Sequence, residues 1–257
     1  GRRFRSAEEM SQLAPLVDAA TAVDRTSWDN TFISYYTWGA AIGLGLDLEL
    51  RDRTGGRVSL DDYMRAMWTR HGKPGGRAPG LVDAPYTMAD ARARLAEVSG
   101  DPAFAADFFA RFIQGRDVVD YRRLLARAGL VVRPRQPGRP WLGDLRLDFS
   151  GGSATVSAAV PFGSPASAAG LERDDRLVSL DGAAVTSFDR VEAVLRRRRP
   201  GDQVAVSFER RGAPVTSSMT IADDPRIEIV HLESTGATPT AAQRAFRSAW
   251  LGSRVRK

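Results

Sequence analysis

The stretch GSPASAAGLERDDRLVSLDG, residues 163–182, decides how the second half of the chain is read. Arg176 to Leu180 reads as a strand, and Asp181-Gly182 closes it with a tight turn. C-terminal to it, Ser187 caps a helix that places Phe188, Val191 and Leu195 on one face. Pro200-Gly201-Asp202 then turns the chain into a strand from Gln203 to Arg210, and Arg211-Gly212 leads into Val215 to Ile221. N-terminal to it, Leu145 to Phe149 alternates in character and Ala154 to Val160 reads as a further strand. About five strands and one main helix in roughly 80 residues predict a small, partly open β-barrel with a groove.

Upstream, Arg133-Pro134-Arg135-Gln136-Pro137-Gly138-Arg139-Pro140 is proline-rich and has no hydrophobic period, so a domain boundary is placed there. The expected organisation is multidomain, α and β: a helical lobe over 1–133, a linker over 134–139, the β-rich domain over 140–222, and a tail over 223–257. The lobe is a series of capped helices. Ser6 with Glu9, Ser59 with Asp62 and Thr87 with Asp90 open three of them. Asp101-Pro102 opens another and Asp120 a last short one. A helix from Phe32 to Arg53 stops at Gly55-Gly56, and its Gly39, Gly43 and Gly45 are expected to admit a neighbouring helix. Leu60, Tyr63, Met64, Met67 and Trp68 recur at 3–4 spacing, which predicts one buried face. Phe104, Phe108, Phe109 and Phe112 read as a core stripe. In the tail, Thr240 to Leu251 is expected to be helical, with Phe246 and Trp250 docking on one of the two modules.

Composition narrows the function. The 257 residues contain no cysteine, which removes disulfides, thiolate metal sites and thiol nucleophiles together. His71 and His231 are the only imidazoles, and neither opens an H-E-x-x-H zinc signature, so no metal ligands are expected in this chain. The net charge is +6. Residues 1–137 hold 20 basic and 17 acidic side chains and the remainder 17 and 14, an even spread that argues against a nucleic-acid surface. No apolar run is long enough to cross a membrane, and no signal peptide is visible. A soluble protein is expected, its compartment left open between cytoplasm and periplasm. A first residue of Gly1 reads as part of something longer.

Trp141-Leu142-Gly143, the Gly163–Leu171 stretch, Asp174-Asp175-Arg176-Leu177, Asp181-Gly182 and Pro200-Gly201-Asp202, in that order, resemble a PDZ domain of the kind attached to bacterial proteases. The resemblance implies strand addition: a peptide would lie between the Leu145–Phe149 strand and the helix after Ser187. Leu145, Leu147, Val191 and Leu195 would line its pockets, and Leu142, Gly143 and Asp144 would offer backbone N–H groups. Asp144 stands where such domains carry an apolar residue. A carboxylate there repels a bound chain terminus, which opens the groove to internal segments or to the parent's own tail.

In the first half, Ser34-Tyr35-Tyr36-Thr37-Trp38-Gly39-Ala40, the aliphatic helix ending Asp47-Leu48-Glu49-Leu50-Arg51, Pro85-Tyr86-Thr87, Leu95 to Gly100 and Phe108 to Gly115 resemble the C-terminal helical lobe of the glycyl aminopeptidase family. These are bacterial zinc metallopeptidases with a thermolysin-like core and a C-terminal PDZ domain. The resemblance implies that the chain is the C-terminal portion of an enzyme removing small N-terminal residues, glycine or alanine. The zinc ligands and general base would lie in a missing N-terminal half, and this portion alone would be inactive. It also implies that Tyr36, or its neighbour Tyr35, donates a phenolic hydrogen bond to the oxyanion. The alternative is a non-catalytic peptide-binding or scaffolding protein. The expected partners are a peptide in the groove, the missing half and, as a possibility left open, further copies of the chain.

Overall fold

The computed structural model describes residues 1–19, 27–76 and 81–252. In chain order its helices are α1 (Ala7–Gln12), α2 (Ala14–Ala19), α3 (Trp28–Thr31), α4 (Tyr35–Thr54), α5 (Leu60–Met67), α6 (Met88–Ser99), α7 (Pro102–Phe108), α8 (Tyr121–Arg127), α9 (Pro165–Ala168), α10 (Phe188–Leu195) and α11 (Ala241–Leu251). The strands are β1 (Leu130–Pro134), β2 (Pro140–Trp141), β3 (Leu147–Asp148), β4 (Ala154–Val156), β5 (Arg176–Leu180), β6 (Ala183–Ala184), β7 (Gln203–Arg210), β8 (Ala213–Thr220), β9 (Ala222–Asp223) and β10 (Ile227–His231). The described residues fall into two compact units. One is drawn from Arg2–Ala14, Ser34–Val132 and Ile229–Lys257, the other from Pro15–Ile33 and Arg133–Glu228.

The first unit is helical, and its helices begin where the side chains satisfy the free N–H groups of a first turn. Glu9 accepts from the Ser6 N–H while Ser6 Oγ accepts from the Glu9 N–H, and Thr87 and Asp90 form the same reciprocal pair. Asp101 and Asp120 accept from Phe104 and Arg123. Helices α4 and α6 end on left-handed Gly55 and Gly100. The core gathers Leu46, Leu48 and Leu50 of α4, Leu95 of α6 and the phenylalanines. Phe104–Phe108 and Phe108–Phe112 meet edge-on, with centroids 5.7 and 5.0 Å apart. Only one of the three α4 glycines makes a close approach, and its neighbour is a loop valine. A Cβ on Gly45 would lie 2.8 Å from Val119 Cγ2, whereas one on Gly43 would meet Leu60 at 3.7 Å and one on Gly39 nothing within 4 Å.

Two helices pass into π-helical turns, Trp68–Gly72 after α5 and Phe109–Ile113 after α7. The face expected to be buried on α5 is only partly so. Leu60, Tyr63 and Met67 are half-buried, but Met64 and Trp68 are 56% and 57% exposed. At roughly 100° per residue, Met64 and Trp68 lie on the flank of the stripe and the other three on its centre.

The tail packs on this unit. Phe246 and Trp250 of α11 rest on the helical core. Arg247 Nε donates to the Ala128 carbonyl at 2.6 Å and Nη2 to that of Gly129 at 2.9 Å. Arg51, a buried cation of α4, donates to Asp47 at 3.0 Å and to the Ala249 carbonyl at 3.1 Å.

In the second unit the strands run in the order β3-β4-β5-β7-β8, with β6 paired to β5, and each described pairing is antiparallel. A separate ribbon pairs β2 with β9. Val204, Val206 and Phe208 of β7 are buried in the core, while Gln203 before them and Ala205 between them are exposed, the period-2 pattern of a half-buried strand. Asp181-Gly182 and Arg211-Gly212 both have two successive positive φ values, as the hairpin turns between β5 and β6 and between β7 and β8 require. The Ala154–Val160 and Leu145–Phe149 runs are strands only over β4 and β3. Residues 27–33, placed with the helical lobe by their position in the sequence, belong to this unit. Asn30 is the clasp: its amide donates to the Val160 carbonyl at 2.8 Å and accepts from the Phe162 N–H at 2.9 Å.

Arg247 also pairs with Glu233 and holds that carboxyl down at about 2. A depressed carboxylate contributes stability that is complete above its ordinary value near 4.5 and is lost as pH falls toward 2. Amide exchange in α11 is expected to accelerate relative to α4 between pH 4.5 and 2, and Arg247→Ala to accelerate it already at pH 7.

Candidate peptide groove and exposed tyrosine

All seven groove residues singled out in the sequence line one cleft. Leu142, Gly143, Asp144, Leu145, Leu147, Val191 and Leu195 surround about 190 Å³ between the β3 edge and α10. The Leu142 side chain is buried, and its carbonyl accepts from the Ala166 N–H at 2.8 Å, which fastens the loop to α9. Gly143 follows at φ 125°, where a Cβ would stand 3.0 Å from Cβ and Oγ of Ser164. Both the backbone angle and the space demand glycine. Among the described residues, nothing accepts a hydrogen bond from the N–H groups of Gly143, Asp144 or Leu145. Strand β3 has β4 on one side and is the end of the sheet on the other. An edge strand with free donors beside an apolar helix face is the arrangement to which an extended chain adds.

Trp141, Phe188, Arg139, Glu192 and Arg226 line the same cleft and were not singled out from sequence. Phe188 was legible, since it shares the helix face of Val191; its ring is 54% exposed and meets Phe149 edge-on at 5.1 Å. Arg226 had no local signal, because it comes from the far side of the sheet's last hairpin. Asp144 is exposed, and its Oδ1 accepts from Trp141 Nε1 at 3.1 Å.

Tyr36 stands in the first turn of α4 and is 74% exposed; half-buried Tyr35 has its ring 4.7 Å away. The Tyr36 phenol is therefore open to a partner. Among the other ionisable candidates, two make structural hydrogen bonds and the third lies at the surface. Asp62 accepts from the N–H and O–H of Ser59, His71 Nδ1 donates to the Ala84 carbonyl at 3.0 Å, and His231 is exposed at the end of β10. Among the described residues no three His, Asp or Glu side chains come together as a metal site.

The helical unit has a larger, apolar cleft of about 530 Å³. It is lined by Met64, Met67 and Trp68, by Tyr86, and by Phe109 and Ile113. Both π-turns contribute to its wall. Tyr63 lies beside it, its hydroxyl on the Ala91 carbonyl at 3.1 Å and its ionisation pushed up to about 12 by burial.

The PDZ domain family model matches residues 131–221. The second unit is therefore built on a PDZ domain. Over 65 residues the chain is 38% identical to a Neisseria meningitidis protein that carries a zinc metalloprotease name, a match covering 25% of this chain and 14% of that one. The fold of nearly the whole chain, 98%, is found in a crystal structure of an aminopeptidase N family protein from Idiomarina loihiensis, with a TM-score of 0.66 and 22% identity. The chain spans 41% of that structure's length. An HtrA-type protease, AlgW, solved with a decapeptide, aligns with 35% of this chain and 30% of its own at 21% identity and a TM-score of 0.32.

Gly143→Ala is expected to lower the unfolding free energy of the PDZ unit by about 1–3 kcal/mol, through strain at positive φ and contact with Ser164. Denaturant titration of the variant checks this, with Gly151→Ala, which meets nothing within 4 Å, as the neutral control.

Proposed function

We propose that this chain is the helical and PDZ portion of a zinc-dependent aminopeptidase acting on small N-terminal residues, and that its PDZ groove captures an extended peptide by strand addition. The observation that carries the binding half is the free edge of β3 facing α10, with three unpaired N–H groups at its head and leucine and valine side chains along its floor. Backbone donors fix the peptide's direction and register, and the apolar floor takes alternate side chains.

The enzymatic half rests on the fold shared with the Idiomarina loihiensis aminopeptidase-family structure and on the exposed tyrosine. The zinc ion of such an enzyme would be held by polypeptide outside these 257 residues. What this chain offers to the chemistry is the exposed phenolic O–H of Tyr36, a hydrogen-bond donor that can meet a developing oxyanion. Tyr35, half-buried beside it, serves as the alternative donor and as a wall that limits the phenol's rotation.

Leu195→Glu is expected to weaken peptide binding at least about 10-fold while leaving the melting temperature nearly unchanged, because Leu195 is only partly buried. Fluorescence anisotropy with a labelled extended peptide checks it. In a full-length parent carrying the metal site, Tyr36→Phe is expected to lower kcat about 10²-fold with little change in KM. Equal fall of kcat/KM through KM alone would assign Tyr36 to substrate binding.

A further inference from the structure

Asp144 sits at the head of the cleft, in the same loop as the three unpaired N–H groups. One of its oxygens is held by Trp141 Nε1, which keeps the carboxylate over the cleft's mouth. Two guanidinium groups line the same cleft, and each has another carboxylate beside it. Arg226 Nε donates to Asp224 at 2.8 and 3.1 Å, and Asp224 is itself almost wholly buried. Arg139 donates to the Gln136 side chain and lies 3.8 Å from Glu192. Two carboxylates, those of Asp144 and Glu192, and two guanidinium groups line this cleft, and of the carboxylates only Asp144 lies in the loop that carries the unpaired N–H groups.

A peptide's terminal carboxylate placed on those N–H groups would lie within a few ångströms of Asp144. At the intermediate dielectric of a surface cleft, like charges at about 5 Å change binding by roughly 10-fold or more. A lysine or arginine at the same place gains by the same interaction. Backbone carbonyls of an internal segment can use the N–H groups without bringing a negative charge.

We propose that the groove takes an internal, extended peptide segment bearing a lysine or arginine opposite Asp144, and disfavours a free chain terminus. This rests on the strand-addition reading of the groove. It assigns Asp144 as the specificity-determining residue.

The test uses the full chain and two decapeptide libraries of equal randomness, one with free carboxyl ends and one C-amidated, with the bound pools sequenced. Wild-type protein is expected to enrich the amidated pool about 10-fold over the free-acid pool, with lysine or arginine at one fixed position. Asp144→Asn keeps an acceptor for Trp141 Nε1 and removes the charge. It should abolish the cation preference and raise free-acid binding about 10-fold. A free-acid pool enriched by the wild type, or an unchanged preference in Asp144→Asn, overturns the selectivity while leaving the groove in place. Failure of both proteins to enrich either library overturns the groove reading itself, and the selectivity with it.

Discussion

The Ala166 N–H donates to the Leu142 carbonyl, and a Cβ on Gly143 would stand 3.0 Å from Ser164; the groove follows from that pair of constraints. The first fixes the loop to α9 and sends the Leu142 side chain into the core. The second leaves room only for glycine where the backbone passes through a φ of 125°. Three N–H groups then stay without acceptors at the head of an edge strand. Unpaired donors are costly when buried and inexpensive when solvated, so the loop stays open to water until a peptide replaces it. On the other wall, the Ser187 cap sets where α10 starts and therefore which of its residues face β3.

The domain's charged core supports the same arrangement from behind. Asp175, 2% exposed, accepts from the Glu172 N–H and from two nitrogens of Arg210, at 2.9 and 2.7 Å. That network locks the segment between α9 and β5 to β7. A buried carboxylate with its hydrogen bonds complete holds geometry more than it adds stability. Its duty here is to keep α9, and so the loop anchored on it, in register with the sheet.

Legibility in the sequence followed the range of the interaction. Caps, hairpin turns and the β7 strand are set within a few residues, and these were readable: Ser6 with Glu9, Asp181-Gly182, Gln203 to Arg210. The seven residues that a short ordered motif places beside one another line one cleft. Asn30 clasping Val160 and Phe162 was not readable, since an asparagine before an aromatic carries no mark of partners about 130 residues away. The α4 glycines misled for a related reason. Glycine reports permission for close approach, and only Gly45 has a neighbour that uses it. The exposed flank of α5 was hidden because 3–4 spacing marks a stripe without saying how wide the partner is.

The two clefts differ in the chemistry of their walls, and that difference bears on what each can hold. The groove of the PDZ unit is small and has backbone donors at one end, which suits main chain. The cleft of the helical unit is larger, is lined by methionine and aromatic side chains, and adjoins exposed Met64, Trp68, Val82 and Tyr86. Such a surface gains by covering apolar area and sets little directional demand, and thioethers adapt to the shape that covers them. On the proposed reading, therefore, selectivity for sequence resides in the PDZ groove through Asp144 and the β3 edge. On the same reading the helical unit would contribute the Tyr36 phenol and an apolar wall.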